Sequence, residues 1–155
     1  MSHAPTLSSL VELLHRRAAQ AGSRRAYTFL QDGESGEVDI TYQELELRAR
    51  AIAASLQESR ATNERVVLLY PPGLDFITAF WGCLYAGAVA VPVFPARLAR
   101  HVPRLNAILA DAQPTAILTT SKILAQVEGL LMERHCTGGQ PMTSRKIRRT
   151  TGLIL

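Results

Sequence analysis

The side chains that could support catalysis or bind a metal are few and widely separated in this chain. The four histidines are scattered: His3, His15, His101 and His135. None has a second ligand one helical turn away, which is the spacing of a helical metal site. The two cysteines, Cys83 and Cys136, form neither a disulfide framework nor a metal-binding motif. We therefore expect no metal site and assign no catalytic residue.

One pair of glycines has the spacing of a nucleotide-binding loop. Gly82 and Gly87 are separated by four residues, as in loops whose backbone N–H groups bind phosphates. Such a loop continues with Lys and then Ser or Thr, which contact phosphate and metal. This chain has Ala88 and Val89 there. The spacing alone does not predict a phosphate site, and the cofactor-binding residues stay unknown.

Composition and charge indicate a globular protein without a nucleic-acid partner. The chain has 155 residues, 47% of them hydrophobic and 19% charged, which is enough for one domain with a core. Residues 1–131 contain 12 Lys and Arg against 12 Asp and Glu, whereas residues 132–155 contain five and one. The net charge of +4 therefore comes from the tail, and the preceding part offers no basic face to phosphates.

The N-terminal part predicts a helix, a β-hairpin and a second helix. Apolar residues at helical spacing indicate the first helix, which begins with the Ser9 and Glu12 capping pair or at Thr6 and ends at Gly22. Ala26–Leu30 and Val38–Thr41 predict the hairpin. Thr41 and Glu44 form a second capping box before a helix to about Ser59. Its predicted inner face is Leu45, Ala49, Ile52 and Leu56, and its predicted solvated face is Glu44, Glu46, Arg48 and Arg50.

Alternating strands and helices follow, which predicts a mainly parallel α/β sheet. A buried strand over Arg65–Tyr70 leads through the Pro71-Pro72-Gly73 turn into a helix over Leu74–Ala86, with Gly87 at its end. Val89, Val91 and Val93 predict a second buried strand that contains Pro92. The remaining predicted elements are a helix over Arg100–Ala112, a strand over Ala116–Thr119 and a helix over Ser121–Leu130.

The apolar run from Val66 to Pro95 contains a single charge, Asp75, and is long enough to suggest a membrane span. Gly87, Pro92 and Pro95 would break a helix in the second half of that run. Buried strands of a parallel sheet produce similar apolar runs. We therefore expect no transmembrane segment.

Two short motifs resemble the core motifs of the adenylate-forming enzymes. Ile40-Thr41-Tyr42-Gln43-Glu44-Leu45 is similar to the first, an aliphatic residue, Thr or Ser, Tyr, any residue, Glu and Leu. Leu84-Tyr85-Ala86-Gly87, followed by apolar residues and Pro92, is similar to the second. The motifs occur in the family's order and at its usual distance, and the resemblance extends over about Leu7 to Leu131.

The turn after the first buried strand resembles one branch of that superfamily, the fatty acyl-AMP ligases. Tyr70-Pro71-Pro72-Gly73 matches their Tyr-Pro-Pro-Gly turn, where acyl-CoA ligases more often carry Asn. Leu118-Thr119-Thr120 also matches. Ala96 departs from the branch, which often has another proline there.

The resemblance implies the fold and activity of a full-length relative. The fold would be the incomplete N-terminal subdomain of the adenylate-forming enzymes. The activity would use ATP and Mg²⁺ to convert a fatty acid to acyl-AMP and pyrophosphate, and then transfer the acyl group to an acyl carrier protein. The family's phosphate loop, ribose-binding Asp and catalytic Lys have no counterpart here, so we expect the chain to be inactive alone and to need no cofactor itself. The matched residues have structural roles: Thr41, Tyr42, Glu44, Tyr70, Pro71, Pro72, Gly73, Gly87 and Pro92.

The tail does not resemble the family, and we place a domain boundary after residue 131. Residues 132–155 are basic and lack the α/β rhythm, which predicts a disordered, non-native ending. Thr137-Gly138-Gly139-Gln140-Pro141 only partly resembles the adenylating phosphate loop, since its Ser-rich half and the following Lys-Gly are missing. Arg145–Arg149 could alternatively contact an anionic surface.

Three alternatives remain beside the acyl-AMP ligase hypothesis. The chain could derive from an acyl-CoA synthetase, act as a docking module for a carrier protein or a split ligase partner, or associate with membranes. An incomplete sheet would also leave an exposed edge for self-association. The absence of a signal-like N-terminus and of a cysteine framework predicts the cytoplasm.

Overall fold

The computed structural model describes residues 8–31, 33, 36–95, 98–126 and 147–149. Helices and strands alternate along these residues, as predicted. The elements in chain order are α1 (Leu10–Ala21), β1 (Arg25–Leu30), β2 (Glu37–Thr41), α2 (Tyr42–Glu58), β3 (Arg65–Leu69), α3 (Leu74–Ala86), β4 (Val89–Val93), α4 (Leu98–Ala112), β5 (Ala116–Thr119), α5 (residues 121–126) and β6 (Ile147–Arg149).

The described strands form two sheets. β1 and β2 pair as an antiparallel hairpin, and the other four form a parallel sheet in the order β4-β3-β5-β6. The predicted α/β class, with a mainly parallel sheet, flanking helices and an N-terminal hairpin, is confirmed. The two crossovers run in opposite directions, because α3 leads from β3 to β4 on one side and α4 returns from β4 to β5 on the other side of β3.

Helices cover both faces of the parallel sheet. On one face, Leu56 of α2 and Ala79 and Cys83 of α3 pack against Val66 and Leu68 of β3. On the other face, Leu105 of α4 and Ile123 of α5 pack against Val67, Leu69 and Ile117. This double coverage explains why β3 and β5 are continuous apolar runs without alternation.

A smaller core joins the hairpin to the helices. Leu14 of α1, Ile40 of β2 and Leu45 of α2 are buried together, with Trp81 and Tyr85 of α3 packed against them. Leu14 is the buried residue of α1, since Leu10 of the predicted apolar stripe is 55% exposed. α1 therefore packs mainly through Leu14, and its His15 side chain and Val11 carbonyl make polar contacts with Glu46 of α2 and Tyr85 of α3.

Two details of the predicted elements are wrong, the burial of the strand at Val89–Val93 and the capping box of the first helix. The strand at Val89–Val93 is not buried, because β4 is the outer strand of the sheet and Val89 is 52% exposed. Ser9 caps α1, but Glu12 accepts hydrogen bonds from Ser8 instead of completing a box with Ser9. In α2, the predicted inner face is confirmed: Leu45, Ala49 and Leu56 are buried and the half-buried Ile52 packs against the main core, while Ala53 is a further buried residue of this helix.

The described helices also bear on the membrane hypothesis. None of the helices within these residues combines the length and the apolar character needed to cross a bilayer. Most of the segment after residue 131 lies outside the described residues, as does the second half of the predicted Ser121–Leu130 helix. The domain boundary and the disorder of the tail therefore stay predictions.

Candidate functional site

The parallel strands β3, β4 and β5 end at one common edge of the sheet, which we call the carboxyl edge. At this edge the connections after β3 and β5 diverge, and Leu69 and Thr119 are register partners at the two strand ends. In open α/β sheets, ligands bind in the crevice where neighbouring strands connect in opposite directions. The candidate functional site is therefore the part of the carboxyl edge between β3 and β5.

The Tyr-Pro-Pro-Gly turn forms one side of this site. Tyr70 is 4% exposed and packs in the main core, whereas Pro71 and Pro72 are exposed. Gly73 has φ +154° and ψ −179°, a conformation that side-chain-bearing residues rarely adopt. A Cβ on Gly73 would meet no atom within 4 Å. The backbone of the turn, and not lack of space, thus requires this glycine.

Two threonines form the other side of the site. Thr119 is 1% exposed, and its hydroxyl donates to the Leu69 carbonyl at 2.7 Å, which joins β5 to β3 at the strand ends. Thr120 Oγ1 accepts from the Ile123 N–H at 3.3 Å and so begins α5. Both hydroxyls stabilise the carboxyl edge. The geometry gives both threonines structural roles and assigns neither of them to a chemical step.

The first motif lies away from the carboxyl edge, where the hairpin meets α2. The Glu44 N–H donates to Thr41 Oγ1 at 3.2 Å, and the Thr41 N–H donates to Glu44 Oε2 at 3.0 Å. These two hydrogen bonds form the predicted capping box. The hydrogen bond from the Thr41 backbone is the main reason why the pKa of Glu44 lies below its ordinary value. Tyr42 packs on the smaller core.

The second motif begins at the opposite, amino edge of the sheet and ends within β4. Gly87 ends α3 in the left-handed conformation, with φ +68°, and its carbonyl accepts from the Asn63 N–H at 2.8 Å. Pro92 lies on the outer strand β4. The structure therefore brings only Tyr70, Pro71, Pro72 and Gly73 to the candidate site and places the other motif residues elsewhere.

Sequence reasoning missed a polar cluster around Glu46, which was predicted to lie on a solvated face. The Glu46 side chain is 13% exposed, and its Oε1 lies 2.7 Å from His15 Nδ1 and 3.8 Å from Arg50 Nη1. The Tyr85 hydroxyl donates to the same oxygen at 3.4 Å. Burial, with the Glu46 charge as second cause, raises the pKa of Tyr85 to about 12. The residues come from three helices, so no local spacing could have indicated the cluster.

The described residues contain no group of three or more His, Cys, Asp and Glu side chains able to hold a metal ion. Cys83 is buried, and this burial raises the pKa of its thiol to about 12. A thiolate nucleophile at neutral pH is therefore excluded at this position. Cys136 lies outside the described residues.

Comparison with known proteins identifies relatives over most of the chain. Residues 14–150 match the family of AMP-binding enzymes. A medium-chain-fatty-acid–[acyl-carrier-protein] ligase of Moorena producens is 49% identical over 127 residues, which cover 80% of this chain and 22% of that protein. A long-chain-fatty-acid–AMP ligase of Mycolicibacterium smegmatis is 40% identical over 121 residues, covering 76% and 19%. The chain thus spans about a fifth of the length of these relatives.

Solved structures show the same relationship. The fatty acid AMP ligase from Legionella pneumophila superposes with a TM-score of 0.72 at 31% identity, covering 89% of this chain and 26% of that one. A fatty acyl CoA synthetase of Mycobacterium tuberculosis superposes with a TM-score of 0.65 at 26% identity, covering 90% and 25%. The described α/β unit corresponds to one part of these enzymes, and the chain belongs to the AMP-binding, adenylate-forming enzyme family.

Proposed function

We propose that this chain is the N-terminal part of a fatty acid-activating ligase of the acyl-AMP ligase type. The observation that carries the proposal is the 49% identity to the Moorena producens ligase over 127 residues. The Tyr70-Pro71-Pro72-Gly73 turn supports the acyl-AMP ligase branch, since its sequence resembles the turn of those enzymes. The cytoplasm stays the predicted compartment.

The whole enzyme would carry out two coupled transfers. The fatty acid carboxylate attacks the α-phosphate of ATP, and pyrophosphate leaves with the electrons of the broken P–O bond. The carrier-protein thiol then attacks the acyl carbon, and AMP leaves. Such reactions depend on positioning and on stabilisation of developing negative charge. The contribution of this chain would be the wall formed by the Tyr70–Gly73 turn and Thr119.

We place neither ATP nor Mg²⁺ on the described residues. They contain no cluster of three metal-ligating side chains, and the Thr119 and Thr120 hydroxyls are already used in hydrogen bonds within the protein. Mg²⁺ is bound mainly through carboxylates and substrate phosphates. The isolated chain is therefore expected to form no acyl-AMP, because it supplies the wall of the site without the groups that stabilise charge.

A chimeric ligase tests whether this segment functions within a whole enzyme, and the isolated chain is tested separately for activity. Residues 1–131 replace the matching segment of the Moorena producens ligase, and pyrophosphate release is measured with medium-chain fatty acids. We expect the chimera to release pyrophosphate and the isolated chain to release none. Acyl-AMP formation by the isolated chain would show that the expectation of inactivity is wrong. A folded chimera that activates no fatty acid would contradict the proposal itself.

The acyl acceptor is tested with the same chimera. Transfer to a phosphopantetheinylated carrier protein but not to CoA supports an acyl-AMP ligase. Transfer to CoA supports the alternative of an acyl-CoA synthetase, which the similarity to the Mycobacterium tuberculosis enzyme keeps open. The docking-module alternative predicts that the isolated chain binds the carrier protein, or a separately expressed remainder of the ligase, without turnover.

A further inference from the structure

One face of the β1–β2 hairpin is apolar and extends beyond the core that it covers. Tyr27 pairs with Ile40 and Phe29 pairs with Val38, so these four side chains lie on the same face of the hairpin. Ile40 is buried in the smaller core and Phe29 is half-buried, whereas Tyr27 and Val38 are 38% and 40% exposed. The described residues therefore leave much of this apolar face uncovered.

The opposite face of the hairpin is polar. Thr28 Oγ1 donates to Asp39 Oδ1 at 2.6 Å, and Arg25 Nη1 lies 3.2 Å from Asp39 Oδ2 and 3.8 Å from Glu37 Oε2. Leu30, which pairs with Glu37, is the apolar exception on this face. A two-stranded hairpin alone is marginally stable and needs further strands or packing on its apolar side.

α3 has a second uncovered apolar surface. Its buried residues face the sheet and α2: Thr78, Ala79, Gly82, Cys83 and Ala86. The side of the helix turned away from them carries four half-buried residues at helical spacing: Ile77, Phe80, Trp81 and Leu84. The one charged residue of α3 is Asp75, in its first turn. A surface helix has polar residues on its outer side, whereas a helix that is apolar on every side is normally buried in a larger protein.

The two apolar surfaces are continuous. Trp81 Nε1 donates to the Tyr27 hydroxyl at 3.4 Å, which joins α3 to the hairpin at their common border. We call the combined surface the hairpin–α3 face, and it consists of Tyr27, Val38, Ile77, Phe80, Trp81 and Leu84. None of these side chains is charged. Such a surface is typical of a permanent interface, because partners that bind and leave use more polar ones.

The length of the relatives indicates what covers this face. The chain corresponds to 22% of the Moorena producens ligase and superposes on 26% of the Legionella pneumophila enzyme, so most of each ligase lies outside this unit. We propose that the hairpin–α3 face is the docking surface for the ligase chain that follows the segment matched here, which packs apolar side chains against it. This inference rests on the proposed function. It disfavours the carrier protein as the partner of this face, because a carrier protein leaves after each acyl transfer.

Trp81 is the only tryptophan of the chain and reports directly on this face. The full chain is labelled with 5-fluorotryptophan, and the shift of its single fluorine resonance between light and heavy water measures the exposure of the Trp81 ring. The probe is the unlabelled part of the Moorena producens ligase that follows the matched segment, expressed separately. We expect addition of this probe to reduce the solvent-dependent shift strongly.

Two lysine variants of the hairpin form a matched pair. Val38 belongs to the hairpin–α3 face and Leu30 to the opposite face, and their exposed fractions are nearly equal, 40% and 43%. Val38→Lys places a charge in the interface without a partner, so it should weaken binding of the probe by roughly tenfold or more. Leu30→Lys should leave binding unchanged. Both variants should fold in the isolated chain, because water already reaches both side chains.

The chimeric ligase tests the same face without a separately folded probe. In the chimera, Val38→Lys should lower the melting temperature, whereas Leu30→Lys should not. An active chimera that responds equally to the two substitutions would overturn the docking surface and leave the proposed function intact. A folded but inactive chimera would contradict the proposed function, and destabilisation by Val38→Lys alone would still support the docking surface.

Other occupants of the face would give different results. A concentration-dependent loss of the solvent-dependent shift in the chain alone, with Val38→Lys restoring a monomer in sedimentation, would assign the face to a second copy. A loss caused by phosphatidylglycerol vesicles and not by the probe would assign it to a lipid surface. Either result would overturn the proposal, as would a Trp81 ring that stays exposed when the probe binds.

Discussion

Gly82 of α3 lies so close to Ile52 of α2 that no side chain fits between the two helices. A Cβ on Gly82 would be 2.5 Å from Ile52 Cγ2 and 2.7 Å from Ile52 Cβ. The two glycines with nucleotide-loop spacing therefore have separate structural roles. Gly82 permits the close approach of two helices, and Gly87 ends α3 in the left-handed conformation.

Substitution of Gly82 by Ala should destabilise the protein, although alanine favours helices. The intrinsic gain in helix propensity is about 1 kcal/mol. Overpacking against Ile52 and the Ala49 carbonyl, which a Cβ would approach to 3.3 Å, costs about 1–3 kcal/mol and exceeds this gain. We expect a lower denaturation midpoint in urea without a change in the slope of the transition.

A double-mutant cycle with Ile52→Ala identifies the cause. This substitution removes the Cγ2 atom at 2.5 Å and keeps the Cβ atom at 2.7 Å, so it relieves part of the clash. The double variant should therefore be more stable than the sum of the single effects predicts, by about 1 kcal/mol. Additive effects would mean that the contact with Ile52 Cγ2 does not control the stability of Gly82→Ala.

The local elements were predictable, because their signals lie within a few residues. Thr41 and Glu44 begin α2 through contacts three residues apart, and the predicted helix over Leu74–Ala86 has the observed ends. Burial depended on partners distant in the chain. β4 has the composition of a buried strand but is the outer strand of the sheet. Glu46 is covered by His15 of α1 and Tyr85 of α3, two helices that are distant from it in the chain.

The candidate site was predictable only in part. The Tyr70–Gly73 turn was found from sequence, since prolines and a glycine after an apolar strand require a turn. The contribution of Thr119 could not be found from sequence. Its hydrogen bond goes to Leu69, which becomes a neighbour only through the order of the strands in the sheet.

The capping box of α2 should make stability sensitive to acid. Thr41→Ala should cost about 1 kcal/mol at pH 7, whereas Gln57→Ala, at an exposed position near the end of the same helix, should cost little. The folded-state pKa of Glu44 is lowered, mainly by the Thr41 N–H. Its contribution is therefore complete above the ordinary pKa of 4.5 and is lost as the pH falls through the folded value.

Glu44→Gln removes this titration. Thermal denaturation between pH 7 and pH 3 should show a stability difference between wild type and Glu44→Gln that shrinks on acidification. A difference that stays constant over this range would mean that the charge of Glu44 does not stabilise the helix start.

Stability should also fall at alkaline pH. The folded pKa values of Cys83 and Tyr85 are both raised to about 12, from ordinary values of 9.0 and 10.0, and burial is the main cause for each. The unfolded chain therefore loses these protons first as the pH rises, which favours unfolding. We expect a loss of stability that begins near pH 9 and continues towards pH 12.

Two variants separate the contributions to this alkaline loss. Cys83→Ala should flatten the loss from about pH 9 upward, and Tyr85→Phe should flatten it from about pH 10, whatever their stability at pH 7. The measurement is the slope of the free energy of unfolding against pH. Slopes identical to that of the wild type would assign the loss to other groups.

The end of α3 allows a test of backbone conformation alone. Gly87 has φ +68°, and a Cβ there would lie 3.5 Å from Thr62 Cγ2, which is an ordinary contact. Gly87→Ala should therefore cost about 1–2 kcal/mol through strain in the left-handed region and not through a clash. Gly87→Asn should cost less, because asparagine tolerates this conformation. Chemical denaturation of both variants gives the comparison, and equal or larger destabilisation by Asn would mean that space around Gly87, and not its backbone angle, sets the requirement for glycine.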